Sequence, residues 1–346
     1  MARTGGELLG TSEAVIQLLS SELPGGSAYT FSIAVADVDG DGDLDVLLGN
    51  DGSPSRVLLN AGDGTFPTNI TLPGSSADTR SIAAADVDGD GDLDVLLGND
   101  GSPSRVLLNA GDGTFPTSID LPGGSASTFS IAAADVDGDG DLDVLLGNYG
   151  SPSRVLLNAG DGTFPTSIEL PGGSSNTNSI AAADVDGDGD LDVLLGNSGG
   201  PSRVLLNAGD GTFPTSMEMP GGSASTRSIA AADVDGDGDL DVLLGNSDRP
   251  SRVLLNAGDG TFPTSIDLPG GTASTRSIAA ADVDGDGDLD VLLGNSDRPS
   301  RVLLNAGDGT FPTSIEPPGG SALTFSIAAA DVDGDGDLDV LLGNDG

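Results

Sequence analysis

The sequence predicts an all-β fold, a seven-bladed β-propeller of four-stranded blades, on three observations. First, the stretch Asp37-Val38-Asp39-Gly40-Asp41-Gly42-Asp43-Leu44-Asp45 returns unchanged at Asp86, Asp135, Asp184, Asp233, Asp282 and Asp331, each start 49 residues after the last. Second, four short apolar runs, bounded by Gly, Pro, Asn and Asp, fill each period, which is the pattern of strands and turns. Third, seven such periods span all but three of the 346 residues, so residues 1–346 read as one closed domain and not as the several that length alone suggests.

The elements of one repeat follow in order. Strand one, Ser81-Ile82-Ala83-Ala84-Ala85, is rich in Ala, and small side chains suit an innermost strand where seven units crowd an axis. The acidic stretch then leads to strand two, Val95-Leu96-Leu97. A turn at Asp100-Gly101-Ser102-Pro103 leads to strand three, Arg105-Val106-Leu107-Leu108. Consecutive apolar residues in both predict strands covered on both faces. After Asn109-Ala110-Gly111-Asp112-Gly113, strand four runs from Thr114 to Leu121 and alternates apolar with polar. Its Pro116 cannot donate to a ladder, which puts this strand at the blade's edge.

The last repeat has strands one and two, Ser326 to Asn344, and no Arg-Val-Leu-Leu run. The N-terminus stands in phase with the missing half: Leu8-Leu9 fall 49 residues before Val57-Leu58, and Leu23 falls 49 before Leu72. Residues 1–23 are therefore expected to supply strands three and four of the last blade and to close the ring. A helix over Ser12 to Leu23 is the alternative, since Val15, Leu18, Leu19 and Leu23 also suit a period of 3.6.

Five carboxylates within nine residues repel one another unless a cation sits among them. The donors are all oxygen, with no His or Cys in the chain, which selects a hard cation. Calcium accepts six to eight oxygens in loose geometry, whereas magnesium holds a tight octahedron and keeps its waters. About one calcium per blade is expected. In the first loop the side chains of Asp37, Asp39, Asp41 and Asp45 are the expected ligands, with Asp43 offering its backbone carbonyl. The equivalent candidates are Asp86, Asp88, Asp90, Asp92 and Asp94, then Asp135, Asp137, Asp139, Asp141 and Asp143. Next come Asp184, Asp186, Asp188, Asp190 and Asp192, followed by Asp233, Asp235, Asp237, Asp239 and Asp241. The last two sets are Asp282, Asp284, Asp286, Asp288 and Asp290, and Asp331, Asp333, Asp335, Asp337 and Asp339. Gly40 and Gly42 allow the positive φ angles that wrapping an ion needs. An EF-hand is excluded, because its twelfth position requires Glu and here holds Leu48, and the flanks are too short for helices.

Composition narrows the function. A net charge of −43 argues against nucleic acid and anionic membranes as partners. No apolar run approaches the length of a membrane span. Met1 to Leu23 does not read as a signal peptide, because Glu7, Glu13 and several Ser interrupt its apolar part. Without Cys the redox compartment leaves no mark. The chain has no His, Cys or Lys, and its aspartates are committed to the loops, so it is not read as an enzyme.

Three stretches carry a family resemblance. They are Phe31-Ser32-Ile33-Ala34-Val35-Ala36-Asp37-Val38-Asp39-Gly40-Asp41-Gly42, Leu44-Asp45-Val46, and Leu59-Asn60-Ala61-Gly62-Asp63-Gly64-Thr65-Phe66. They resemble the integrin-α-type calcium-binding propellers, the FG-GAP or VCBS repeats, and the likeness extends over all but about the first 22 residues. The resemblance implies a calcium loop between strands one and two. It also implies an extracellular or cell-surface location, as in adhesion receptors, fungal lectins and bacterial surface proteins. One departure is that all seven repeats keep the full motif, where family members often keep it in some blades only. Near-identical repeats point to recent duplication or a designed consensus, while changes such as Met217-Glu218-Met219 and Glu316-Pro317 resemble drift.

The leading functional expectation is a binding or adhesion module. Strand parity puts the acidic loops on one face, and the strand 2–3 turns and inter-blade links on the other. The repeats differ mainly on that second face. Before Ser-Ile-Ala stand Phe31, Arg80, Phe129, Asn178, Arg227, Arg276 and Phe325, and Tyr149 follows one Leu-Leu-Gly-Asn. Such a face suits a protein or an acidic glycan. Neutral variation in tolerant loops is the plain alternative. Others are a lectin with sugar sites at the blades, a self-assembling surface or filament protein joined through the half-blade seam, and a consensus propeller with no ligand.

Overall fold

A computed structural model describes residues 22–24, 29–74, 78–123, 127–172, 176–222, 224–318 and 323–344. The first repeat forms β1 (Tyr29–Ala36), β2 (Asp45–Asp51), β3 (Arg56–Leu59) and β4 (Thr68–Thr71), an antiparallel sheet in that order. Five more sheets repeat this arrangement. The expected strand order therefore holds, with the Ala-rich strand at one edge and the proline-led strand at the other. Strand four is shorter than its alternation predicts, for example Thr117–Asp120 in the second repeat. Pro116 delays the ladder, and Phe115 before it is buried as a plug between blades.

Among the described residues, six sheets have four strands and the seventh has two, Thr324–Ala330 paired with Asp339–Asn344. Seven four-stranded blades are thus not what the described residues show, because this repeat lacks the Arg-Val-Leu-Leu run of the other six. The strands, or the helix, expected from residues 1–23 lie outside the described residues, except for Glu22 and Leu23.

The seven first strands form a closed hub, held by one repeated bond. The amide of Ile82 donates to Ser32 Oγ of the preceding inner strand at 3.1 Å, and Ile131, Ile180, Ile229, Ile278 and Ile327 repeat this toward Ser81, Ser130, Ser179, Ser228 and Ser277. Ile33 then donates to Ser326 Oγ at 3.0 Å and closes the cycle across 293 residues. Gly49 shows how closely the hub packs: a Cβ there would lie 3.2 Å from Thr79 Cγ2 of the next blade.

Between blades lie apolar cores of common composition. In the first, Val38, Leu47, Val57 and Leu72 meet Ile82, Val95, Leu97, Leu107 and Phe115 of the next repeat. Both faces of β2 and β3 are buried in this way, so their consecutive apolar residues have a physical cause. At the seam between the last and first repeats, Ala330 and Leu341 pack with Ile33, Val46, Leu58 and Phe66, and Leu23 packs against this group. Leu23 occupies there the place that Leu72 takes one repeat later.

Acidic loops and the bulged rim opposite

The β1–β2 register fixes the two ends of each blade. Ala36 pairs with Asp45 beside the acidic loop, and Tyr29 pairs with Asp51 at the far end. The loops therefore share one face of the ring, and the variable residues share the other.

Within the first loop, backbone amides shape the acidic turn. Gly40 N–H donates to Asp37 Oδ1 at 2.8 Å, Gly42 N–H to Asp37 Oδ2 at 2.9 Å, and Asp43 N–H to Asp41 Oδ1 at 2.9 Å. Gly40 and Gly42 have φ of 74° and 95°, as the wrapping requires. The carboxylate oxygens of Asp37, Asp39 and Asp41 lie within 4.8 Å of one another, as do those of Asp86, Asp88 and Asp90. In the third to fifth loops the grouped residues are Asp135, Asp137 and Asp143, Asp184, Asp186 and Asp192, and Asp233, Asp235 and Asp241. The first and third positions thus come together with the fifth in two loops and with the ninth in three.

Two positions behave differently from the rest. The seventh position turns its side chain away from the cluster: a Cβ on Gly62 would lie 2.5 Å from Asp43 Oδ2, so the glycine makes room for this carboxylate. The ninth is buried and tied to backbone, with Val38 N–H donating to Asp45 Oδ2 at 3.0 Å and Asn60 N–H to Asp45 Oδ1 at 2.8 Å. Asn60 also donates from Nδ2 to the carbonyls of Leu44 and Val332, bridging its own loop to that of the preceding repeat. This asparagine was not singled out from the sequence, although it recurs in every Leu-Leu-Asn-Ala-Gly-Asp-Gly turn.

A cation fits these loops on one observation. Asp39 Oδ1 and its equivalents on Asp88, Asp137 and Asp186 are buried oxygens with no hydrogen-bond partner. A buried anionic oxygen without a donor is costly, and a metal ion supplies what the protein does not. Burial first, then the neighbouring Asp41 charge, pushes the Asp39 carboxyl up. Burial likewise pushes Asp94, Asp143, Asp192, Asp241 and Asp290 up to about 6, against the lowering pull of their amide donors.

A pH dependence follows for the metal-free protein. An acid whose pKa is raised by folding keeps its proton in the native state while the unfolded chain has lost it. Stability therefore falls as pH rises from about 4 to above 6. In chelator the thermal midpoint is expected to be higher at pH 5 than at pH 7.5, and with saturating metal this order reverses because the ion must displace the proton. Thermal scans at the two pH values, with and without chelator, check this; a metal-free midpoint that rises from pH 5 to 7.5 contradicts it.

On the opposite face the seven variable residues share a backbone feature invisible in the sequence. In every repeat the β1-type strand slips register between a Thr and a Ser, as at Thr30/Ser32, Thr79/Ser81, Thr177/Ser179 and Thr226/Ser228. The residue inside each slip is the variable one: Phe31, Arg80, Phe129, Asn178, Arg227, Arg276 or Phe325. A bulge re-aims its side chain, and here the re-aimed side chains meet across blades. Phe31 and Phe325 rings stand 4.6 Å apart, and the Arg80 guanidinium lies 4.3 Å from the Phe31 centroid and 5.6 Å from that of Phe129. Phe129 stacks on Tyr149 at 4.9 Å. Arg276 lies 5.8 Å over Phe325, and Arg227 Nη1 donates to Asn178 Oδ1 at 3.5 Å. All eight expected face residues therefore gather on one rim round the hub.

Among the described residues, no helix is long and apolar enough to cross a membrane. A search of curated proteins gives no match. Among solved structures, the chain is similar to an Agrocybe aegerita lectin that recognises non-reducing terminal N-acetylglucosamine, with 21% identity, a TM-score of 0.62 and coverage of 92% of this chain and 87% of that one. It is also similar to BBS1N in complex with ARL6DN, with 12% identity, a TM-score of 0.66 and coverage of 96% and 94%. Raptor of Chaetomium thermophilum gives 14% identity and a TM-score of 0.58 over 88% of this chain and 26% of that one. At such identities these structures support the propeller fold alone. The FG-GAP-like repeat family matches residues 37–97, 86–146, 135–195, 184–244, 233–293 and 282–342, and with so much of its length matched the chain belongs to that family.

Proposed function

We propose that the protein is a calcium-stabilised, extracellular binding module whose partner, a glycan or a protein, docks on the bulged rim opposite the acidic loops. The observation that carries this reading is the rim itself. In seven nearly identical repeats the bulged position varies, and those residues meet in cross-blade contacts, Phe325 with Phe31, Arg80 with Phe31 and Phe129, Arg276 with Phe325, and Arg227 with Asn178. In the proposal, Asp37, Asp39, Asp41 and Asp45, and their equivalents in each loop, hold the ion, and Asp43 contributes through its backbone. When bound, calcium supplies charge neutralisation and coordination. The chain's own residues shape the loop through the amides of Gly40 and Gly42 and lock it to the preceding repeat's loop through Asn60. The fold likeness to a lectin supports a glycan as the partner.

The proposal includes a ring of seven blades, with the segment before Tyr29 completing the last. Leu23 in the seam core, at the place of Leu72, supports this. The half-buried Val340 and Leu342 and the exposed Leu338 mark the edge that such strands would cover. A neighbour's N-terminal segment covering the same edge would give the assembling alternative.

Changing Phe31, Phe129 and Phe325 together to Ser is expected to weaken a ligand found on glycan or protein arrays by at least about tenfold, since each loses a large apolar contact. Calcium stoichiometry should not change. Unaltered binding of every array ligand would remove the rim from the function.

A further inference from the structure

We infer that one arc of the rim, formed by Phe129, Tyr149, Asn178, Arg227 and Arg276, is a subsite for the carboxylate of an acidic sugar. This deepens the proposed function and rests on its reading of the rim as the ligand face. The rim is chemically divided. On one side Arg80 is already neutralised, with Asp51 at 3.7 Å and Asp100 at 3.2 Å, and it is sandwiched by Phe31 and Phe129. On the other side Arg227 and Arg276 stand on adjacent inner strands, and among the described residues neither has a carboxylate within ion-pair distance. The nearby acids are engaged elsewhere: Asp248 Oδ1 accepts from the Ser225 amide at 2.9 Å, and Asp297 Oδ1 from the Ser274 amide at 2.7 Å.

A second observation points to a missing partner. Arg227 Nε is buried and has no hydrogen-bond acceptor; the Nε atoms of Arg80 and Arg56 share this, but Arg80 has its own two carboxylates and Arg56 lies on β3, away from the rim. Burial, then the Arg227 charge, pull the Arg276 pKa down, and the opposing charge of Asp297 does not offset them. Two guanidiniums side by side match a carboxylate, which accepts from both in bidentate fashion. The rest of the arc suits a pyranose. Phe129 and Tyr149 are stacked 19° from parallel, with Tyr149 41% exposed, giving a flat apolar plate for a sugar face. Asn178 holds its Nδ2 on the Thr226 carbonyl at 2.7 Å and keeps Oδ1 toward Arg227 at 3.5 Å, so its oxygen can also accept from a hydroxyl. The acidic loops lie on the far face and do not screen this arc.

Trigalacturonic acid, galactotriose and hexaglutamate serve as probes, in isothermal titration and in tyrosine emission; with two Tyr and no Trp in the chain, the emission is read in a Tyr29→Phe background, where Tyr149 alone reports. The expected result is binding of the acidic sugar, with a Tyr149 response, and binding at least about tenfold weaker for Arg227→Gln and for Arg276→Gln, the value of one charge-assisted hydrogen bond. Arg249→Gln, on a strand 2–3 connection, should bind as the parent does. Equal binding of galactotriose, or no effect of either Arg227 or Arg276 change, overturns the carboxylate subsite and leaves the rim as a ligand face. Binding of hexaglutamate without trigalacturonic acid overturns it in favour of an acidic peptide. If rim variants also bind every array ligand unchanged, the proposed function fails with it.

Discussion

Calcium titrated into the metal-free protein is expected to raise its thermal midpoint by about 14 °C. Each site that binds only the native state contributes RT ln(1 + [L]/Kd), about 1.4 kcal/mol at ten times Kd, so seven sites give about 10 kcal/mol. An unfolding entropy of about 2.1 cal/mol/K per residue converts this to the stated shift for a chain of 346 residues. The buried, unpartnered oxygens of Asp39, Asp88, Asp137 and Asp186 are the places where the gain arises. Differential scanning calorimetry in chelator and in millimolar calcium checks the shift, and equal midpoints would remove calcium from the account. Changing Asp135 and Asp137 to Asn should lower the ion count by one in native mass spectrometry and leave the other loops loaded.

The second large effect concerns the seam. Deleting residues 1–23 should leave a protein that aggregates or melts far below the parent. The deletion takes Leu23 from a core that also holds Ile33, Val46, Leu58 and Leu341. If the residues before Leu23 cover the second strand of the last sheet, whose Val340 and Leu342 are less buried than Val46 and Leu48 of the first repeat, the deletion also bares that strand. A bare apolar strand edge is a template for further pairing. Light scattering and a thermal scan decide the matter: a deletion variant that stays monomeric and melts like the parent shows that the segment plays no part in closure. If the intact protein forms chains of discs, the same contacts are made between neighbours and the connectivity, not the seam, is what differs.

Much of this architecture is legible in the sequence because the fold repeats one message. A 49-residue period, an Ala-rich run, two doubly apolar runs and a proline-led edge determine the order of the strands, and the five-aspartate motif determines where the acidic clusters lie. The rest depends on contacts that local pattern does not encode. The slip at Phe31 cannot be read from Tyr-Thr-Phe-Ser-Ile, since a bulge changes pairing with β2 and leaves the composition untouched. The motif sets Asp43 apart only as a backbone ligand and gives Asp45 the same side-chain role as Asp37, and it shows neither where the Asp43 carboxylate goes nor that Asp45 is buried. One is drawn beside Gly62 and the other is buried beneath the amides of Val38 and Asn60, and both Gly62 and Asn60 belong to a turn more than a dozen positions away. Asn60 acts across 272 positions on Val332, beyond any sequence window.

The cycle of Ile amide to Ser Oγ bonds has a consequence for how the molecule comes apart. In a linear array a terminal unit leaves by breaking one interface, so such arrays fray from their ends. In a closed cycle every blade has two neighbours, and freeing one breaks two interfaces at once. Loss of order therefore does not begin by peeling a single interface. Nor does the backbone need its present beginning: with interchangeable repeats and a hub that joins residue 33 to residue 326, new termini opened at any inter-blade link describe the same ring.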